Sequence, residues 1–322
     1  MRLRLADGSE PAPASSAGRG APVVRALVLL AGSVRANAMR RMTGRPGLRM
    51  PVSAGRTVLD CWREQAMALA ESAGIANLPV RVVIDQDATI HPERLSVGPV
   101  SLSIEQDPAD LRGTGGLLRD IACEYGDDDH LLVAHGAQLL FEPLSSLTQR
   151  LSSRGADVAI MTCPNGTPAG LMLIRCGAVK GINGVGFVDL NEQALPDIAK
   201  NQDVRVVPHD GQGGRSLRTL AGYLGALRDY HERSAGMGAA VEPFAERWRS
   251  SFGIVEAGAE VAPDVVLHES VVLDGARIGP GAVVVRSVVC GGVQVEPGAE
   301  VIDRVLGPGS GPLPKKLARR KG

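Results

Sequence analysis

The sequence has few aromatic residues, no excess of either charge and no long apolar run. Phe, Trp and Tyr make up 3% of the 322 residues, so small and branched aliphatic side chains must form the core. The 35 basic and 35 acidic residues balance, and the chain as a whole has no charge to draw it onto nucleic acid. No stretch is long enough for a membrane span or a signal peptide. These absences predict a cytoplasmic protein that binds neither membrane nor nucleic acid.

Paired cysteines are also missing. The five cysteines are scattered along the chain without the close spacing of a zinc site or a disulfide framework. We expect reduced thiols, most of them buried.

Composition divides the chain into five segments. Residues 1–24 are rich in Gly, Pro, Ala and Ser, which bury too little apolar surface to offset the entropy of ordering, and they are expected to form a disordered leader. Residues 25–233 have the pattern of a folded domain, and residues 234–252 that of a linker. A repeat follows over 253–306, and 307–322 form a basic tail expected to stay solvated.

The folded segment 25–233 alternates buried-strand and helical patterns. Ala26–Leu30 is a continuous aliphatic run, and from Thr57 the apolar residues recur at spacings of three and four. Further strand patterns lie at Leu131–Val133, Val158–Ile160 and Leu171–Ile174. Strands that alternate with amphipathic helices predict an α/β fold with a doubly wound, mainly parallel sheet.

The segment 253–306 contains an internal repeat of 17 residues. Val261, Ile278 and Val295 are one such series, and within each repeat the aliphatic positions recur about every six residues. The spacing predicts stacked coils with these three side chains in one interior column. A six-residue step with Gly-Pro turns resembles the hexapeptide repeat of a short left-handed parallel β-helix.

Three segments of the folded domain carry a resemblance to a known family. In chain order they are residues 29–35 (LLAGSVR), 112–117 (RGTGGL) and 131–138 (LLVAHGAQ). They resemble the phosphate loop, the base-contacting turn and the metal-binding strand end of the sugar-1-phosphate nucleotidyltransferases, a family that includes NDP-sugar pyrophosphorylases and mannose-1-phosphate guanylyltransferases. Such enzymes have a fold of the GT-A type. They join a sugar-1-phosphate to a nucleoside triphosphate and release pyrophosphate.

The resemblance implies a nucleotide site. Glycine-rich turns let backbone N–H groups approach phosphate oxygens, and an arginine adds bidentate contacts. The implied nucleotide-contacting residues are Gly32, Ser33, Arg35, Gly113, Thr114, Gly115 and Gly116. The alternative for both segments is an ordinary strand-ending or helix-starting turn.

The family's magnesium ligands are not evident in this chain. Mg²⁺ is the expected cofactor, but Ala137 and Ser216 stand where the family has aspartates. Asp189, Glu192 and Asp210 are the candidates for displaced ligands, so the catalytic residues stay unassigned. His135 and Gln138 are poor magnesium ligands. Arg45 or Arg49 could replace the family's phosphate-holding lysine.

Three functional hypotheses follow. The first is an active nucleotidyltransferase with displaced metal ligands. The second is a noncatalytic member that binds a nucleoside triphosphate or nucleotide sugar, or that serves as a regulatory or scaffold subunit and pairs with an active paralogue or a second copy through the β-helix. The third is a hexapeptide acyltransferase with His268 as base. The missing carboxylates favour the second hypothesis.

Overall fold

The chain has an α/β fold with a mixed central sheet and several small parallel sheets. The computed structural model describes residues 23–31, 38–84, 94–106, 113–184, 186–210, 213–236 and 252–307. Residues 1–22 of the predicted leader, most of the predicted linker and the basic tail after Gly307 therefore lie outside the described residues. The last two residues of the predicted leader, Val23 and Val24, belong to β1 instead, because their aliphatic side chains continue the strand.

Two compact units make up the described chain, and neither is continuous in sequence. The first unit contains residues 62–136 and 140–214 together with the chain up to residue 36. The second contains residues 37–61, 137–139 and 215 onwards. Residues 37–61 therefore share a compact unit with the repeat, from which they are far apart in sequence.

The helices are short, apart from α2 and α7. Their bounds are α1 (Ala38–Thr43), α2 (Val58–Ser72), α3 (Gly113–Ala122), α4 (Leu144–Ser152), α5 (Cys176–Val179), α6 (Leu195–Ile198) and α7 (Leu220–Gly236), with a 3₁₀ turn at Gly47–Arg49 and a π turn at Leu190–Ala194.

The strands before residue 220 are β1 (Val23–Leu30), β2 (Pro51–Ser53), β3 (Arg56–Thr57), β4 (Leu78–Ile84), β5 (Arg94–Val97), β6 (Val100–Gln106), β7 (Asp129–His135), β8 (Gln138–Leu140), β9 (Val158–Thr162), β10 (Pro168–Arg175), β11 (Val204–Pro208) and β12 (Gly214–Ser216). Those of the repeat are β13 (Gly253–Val255), β14 (Glu260–Val261), β15 (Val266–His268), β16 (Ser270–Val272), β17 (Arg277–Ile278), β18 (Val283–Val285), β19 (Val288–Val289), β20 (Gln294–Val295), β21 (Glu300–Ile302) and β22 (Val305–Leu306).

The central sheet has the strand order β11-β9-β10-β7-β1-β4-β6-β5. The prediction of an α/β fold is confirmed, but the sheet is mixed rather than mainly parallel. Strand β10 runs antiparallel to β7 and β9, and β5 runs antiparallel to β6. The cause is connection length, because five residues join β9 to β10 and only Gly98 and Pro99 join β5 to β6. Connections this short form hairpins, whereas a parallel crossover needs a dozen residues or more.

Strand β1 and helices α2 and α7 form close to where the sequence patterns predict them. In β1, Ala26, Leu27 and Val28 are fully buried, as expected for a central strand covered on both faces. Helix α2 begins after Thr57, whose backbone N–H and hydroxyl both donate to Asp60, 2.9 and 2.8 Å away. This pairing satisfies polar groups at the helix start. The C-terminal helix α7 extends three residues beyond the predicted end at Arg233.

The repeat forms stacked coils of short parallel strands. Val261 pairs with Ile278 and Ile278 with Val295, which confirms the predicted column. Ile278 and Val295 are 4% and 1% exposed, and Val261 packs against the same apolar core. Because each coil buries its aliphatic side chains against the next, the 17-residue period of the sequence becomes the register of the sheets.

One corner of each coil has a non-glycine residue with positive φ. These residues are Glu269, Arg286 and Asp303, with φ between 46° and 54°. Two ion pairs involve all three corners: Arg228 donates to Glu269 at 2.6 Å, and Arg286 donates to Asp303 at 2.6 Å. Charge pairing thus accompanies a backbone conformation that usually favours glycine.

Candidate functional site

The carboxyl edge of the central sheet contains a topological switch point in the first unit. From β1 the chain places β4 and β6 on one side, and it then returns to place β7 on the other side of β1. Ala31 N–H donates to Val83 O at 2.8 Å and Gly136 N–H donates to Leu30 O at 3.0 Å, so the three strands end side by side. Open α/β sheets bind their ligands at such a point.

Of the predicted nucleotide-contacting residues, Gly32, Ser33 and Arg35 follow β1 directly in the sequence. They lie outside the described residues. Their predicted contact with phosphate therefore stays a prediction, supported by the place at which β1 ends.

Gly113, Thr114, Gly115 and Gly116 form the first turn of α3, and they pack against the chain around Val188. Gly115 N–H donates to Val188 O at 2.9 Å, and the Thr114 hydroxyl accepts from Leu190 N at 3.1 Å. A Cβ added to Gly113, which has φ +67°, would lie 2.4 Å from Val188 O. The glycines at 113 and 115 therefore have a packing reason of their own, and their predicted contact with a base stays a prediction.

Two of the candidate displaced metal ligands lie near this turn. The Asp189 carboxylate accepts from Asn191 N and Glu192 N at 2.8 and 2.9 Å, while the Gln193 side chain accepts from Asp189 N at 2.8 Å. This reciprocal arrangement caps the following π turn, the role that Asp and Gln take at helix starts. Glu192 is exposed. Asp189 therefore has a structural role that does not need a metal.

The third candidate, Asp210, belongs to a cluster that the sequence analysis did not find. The His209 ring lies between two carboxylates, with Nε2 2.8 Å from Glu142 and Nδ1 3.2 Å from Asp210. Arg150 also pairs with Glu142, and the hydrogen bond from His209 and the charge of Arg150 lower the pKa of the Glu142 carboxyl. The only sequence signal was a histidine next to an aspartate at a strand end.

The His209 cluster is well suited to fixing a loop. The His209 side chain is 4% exposed, and its backbone N–H donates to Thr162 O at 2.8 Å. A Cβ added to Gly213 would lie 2.5 Å from the ring, so a glycine is required there. The cluster holds the end of β11 beside the segment before α4, and the Asp210 side chain remains 76% exposed.

In the second unit the structure brings together the two positions at which the resemblance places magnesium ligands. Leu217 N–H donates to Ala137 O at 2.9 Å, so Leu217 lies opposite Ala137, and Ser216 is the residue before Leu217. Thr219 then accepts from Gly222 N at 3.1 Å at the start of α7. Ala137 is half-buried and Ser216 is exposed. Neither position has a carboxylate.

These residues do not fit Mg²⁺, which prefers carboxylate oxygens. An alanine offers no ligand atom, and a serine hydroxyl offers one neutral oxygen. Among the residues that the structure describes, no three His, Cys, Asp or Glu side chains are grouped so that they could hold a metal ion.

The two arginines proposed to replace the family's lysine differ in their surroundings. Arg45 donates to both Glu256 oxygens at 2.6 and 2.8 Å, and Glu256 also accepts from Asp274 N at 2.6 Å. This arginine is therefore committed to the repeat. Arg49 is exposed and lies at the end of the 3₁₀ turn. Only Arg49 has the accessibility that a phosphate contact needs.

His268, the base of the acyltransferase hypothesis, is exposed at the end of β15. Its register partners are aliphatic, since it pairs with Val285, which pairs in turn with Ile302. A general base in a catalytic site is usually oriented by a polar partner. This position offers no support for that role.

Comparison with known proteins gives little further guidance. No protein-family model matches the chain, and no curated protein matches it. Among solved structures, the match "Crystal structure of HddC from Yersinia pseudotuberculosis" is 15% identical with a TM-score of 0.45, and it covers 64% of this chain and 100% of that one. At this identity and score, the match assigns no function to this chain.

In the described part of the chain, no helix has both the length and the apolar character that a transmembrane span requires.

Proposed function

We propose that this protein binds a nucleotide or nucleotide sugar and does not carry out magnesium-dependent nucleotidyl transfer. In this proposal residues 25–233 have a nucleotidyltransferase-like fold, and the stacked coils form a short left-handed β-helix. The observation that carries the proposal is the juxtaposition of Ala137 and Ser216, joined through the bond from Leu217 N to Ala137 O.

The chemistry of the family explains why this juxtaposition matters. Nucleotidyl transfer brings an anionic oxygen of a sugar phosphate against an anionic α-phosphate, and Mg²⁺ normally neutralises the charge that develops. Without carboxylates at 137 and 216, this chain holds no ion there for that purpose. The residues it retains can bind and orient a ligand at the switch point of the sheet.

A calorimetric titration with each common nucleoside triphosphate, with and without Mg²⁺, tests the binding half of the proposal. We expect at least one nucleotide to bind, with an affinity that EDTA does not reduce. A pyrophosphate-release assay with sugar-1-phosphates tests the other half, and we expect no turnover. Robust pyrophosphate release by the unmodified protein would show that catalytic ligands lie elsewhere in the chain.

A regulatory or scaffold role beside a second chain is the other candidate, and one face of the repeat favours it. Val266 and Ile302 are 54% and 45% exposed, and they lie in one sheet with the outward-facing Val283 and Val285. An exposed apolar face of this kind is typical of an interaction surface. Light scattering should show that the protein forms an oligomer or a complex with a paralogue. The double substitution Val266→Lys with Ile302→Lys should dissociate this assembly. This role would be excluded if the unmodified protein and the lysine variant are both monomeric and if the unmodified protein forms no complex with any paralogue.

A further inference from the structure

Two exposed arginines belong to chain segments that contact Ala137, a position where the resemblance expects a metal ligand. Arg218 follows Leu217, whose N–H is bound to Ala137 O, and Met39 N–H donates to Arg218 O at 3.3 Å. On the other side, a Cβ added to Gly47 would lie 2.8 Å from the Cβ of Ala137. Arg49 is two residues further along the same 3₁₀ turn. We call Gly47, Arg49, Ala137, Ser216 and Arg218 the arginine patch.

Alternation of burial places the polar side chains of the arginine patch on the surface. Leu48 and Met50 are 1% and 2% exposed, whereas Arg49 between them is exposed. Leu217 is 2% exposed, whereas Arg218 is exposed. Neither arginine makes an ion pair with another residue of the described chain. Both guanidinium groups are therefore available to a ligand.

The surroundings of the arginine patch have a local excess of positive charge. Residues 37–59 contain five arginines and no aspartate or glutamate. Among the described residues, Glu256 is paired with Arg45, and Asp60 accepts from Thr57. Arg215, beside Ser216, is paired with Asp229 at 2.5 Å. Arg49 and Arg218 carry like charges, and a bound anion would be attracted to both.

We infer that the arginine patch binds the phosphate groups of a ligand through Arg49 and Arg218 without a metal ion. A guanidinium group presents planar N–H donors that match two phosphate oxygens, and it carries its charge at every physiological pH. Two such groups take over the charge neutralisation for binding that Mg²⁺ provides in the family. The inference rests on the proposed function for the class of ligand, a phosphate ester or polyphosphate.

The test is a calorimetric titration of the full-length protein with inorganic tripolyphosphate, once in EDTA and once in Mg²⁺. We expect binding in EDTA that is at least as tight as in Mg²⁺, since the free ion competes for the same oxygens. Arg49→Gln and Arg218→Gln should each weaken binding by roughly tenfold or more, the usual loss for a charge-assisted hydrogen bond. Arg304→Gln is the matched control, because Arg304 is an exposed arginine of the same unit. It should bind as the unmodified protein does.

Binding that requires Mg²⁺, or that both glutamine variants retain in full, would overturn the inference. A nucleoside triphosphate that binds the double variant as tightly as the unmodified protein would also overturn it, while the proposed function would stand. Conversely, tripolyphosphate binding that the double variant loses, with no binding of any nucleotide, would support the arginine patch and contradict the proposed function. Circular dichroism of each variant checks that the fold is retained, and the surface position of both arginines predicts that it is.

Discussion

Replacement of Gly113 by alanine tests how closely the start of α3 packs against the chain at Val188. Gly113 has φ +67°, and a Cβ there would lie 2.4 Å from Val188 O. The left-handed conformation costs a residue with a Cβ about 1–2 kcal/mol. Forcing the carbonyl away adds about 1–3 kcal/mol. The displacement also weakens the bond from Gly115 N to Val188 O, which contributes about 1 kcal/mol. We expect a total loss of about 3–6 kcal/mol in the free energy of unfolding.

Gly155→Ala is the matched control for this experiment. Gly155 lies in the same unit and has φ +58°, but nothing lies within 4 Å of its added Cβ. It should therefore lose only the backbone term, about 1–2 kcal/mol. Urea denaturation followed by circular dichroism measures both variants. Equal losses for Gly113→Ala and Gly155→Ala would show that Val188 does not press against this turn, and the packing explanation for the glycine would be wrong.

Two further predictions concern charged groups. Burial, together with the nearby charge of Arg175, lowers the pKa of His130. The folded protein therefore keeps this histidine neutral, whereas the unfolded chain takes up a proton on it as pH falls through about 6.5. The free energy of unfolding should therefore fall on acidification below that pH by up to about 1.4 kcal/mol per unit, and His130→Gln should remove this part of the slope in denaturation measured from pH 8 to 5. Equal slopes would contradict the assignment. The other prediction concerns the ion pair of Arg45 and Glu256, whose side chains are 26% and 18% exposed. A double-mutant cycle with Arg45→Gln and Glu256→Gln should give a coupling free energy of about 1–2 kcal/mol. A coupling near zero would mean that the pair does not anchor residues 37–61 to the repeat.

The parts of the fold that could be predicted are those in which the spacing of apolar residues in the sequence equals the repeat of the structure. Stacked coils repeat every 17 residues, so the column of Val261, Ile278 and Val295 follows directly from their spacing. Buried strands such as β1 and amphipathic helices such as α2 are likewise encoded locally. The antiparallel direction of β10 could not be predicted from its apolar pattern, because such a pattern does not specify whether a strand runs parallel or antiparallel to its neighbours. The short connection from β9 indicates that direction.

The candidate site was less predictable because its contacts join residues far apart in sequence. Arg45 and Glu256 are 211 residues apart, and no local pattern marks them as partners. The glycines of α3 were assigned to a ligand, since a glycine run shows that something approaches closely but does not show what. Only the resemblance pairs the positions Ala137 and Ser216, and in the structure the backbone bond joins Ala137 to Leu217, the residue after Ser216.

Restoration of the two carboxylates tests the central claim most directly. Ala137→Asp with Ser216→Asp places acidic groups at the two neighbouring positions, and Ala137→Asn with Ser216→Asn is a control of equal size without the charge. Titration with a nucleoside triphosphate that the unmodified protein binds should show no need for Mg²⁺ in the unmodified protein or the asparagine variant. The aspartate variant should bind more tightly with Mg²⁺ than in EDTA. If the unmodified protein already binds the nucleotide only with Mg²⁺, or if the aspartate and asparagine variants respond alike, then positions 137 and 216 do not decide how the phosphate charge is met.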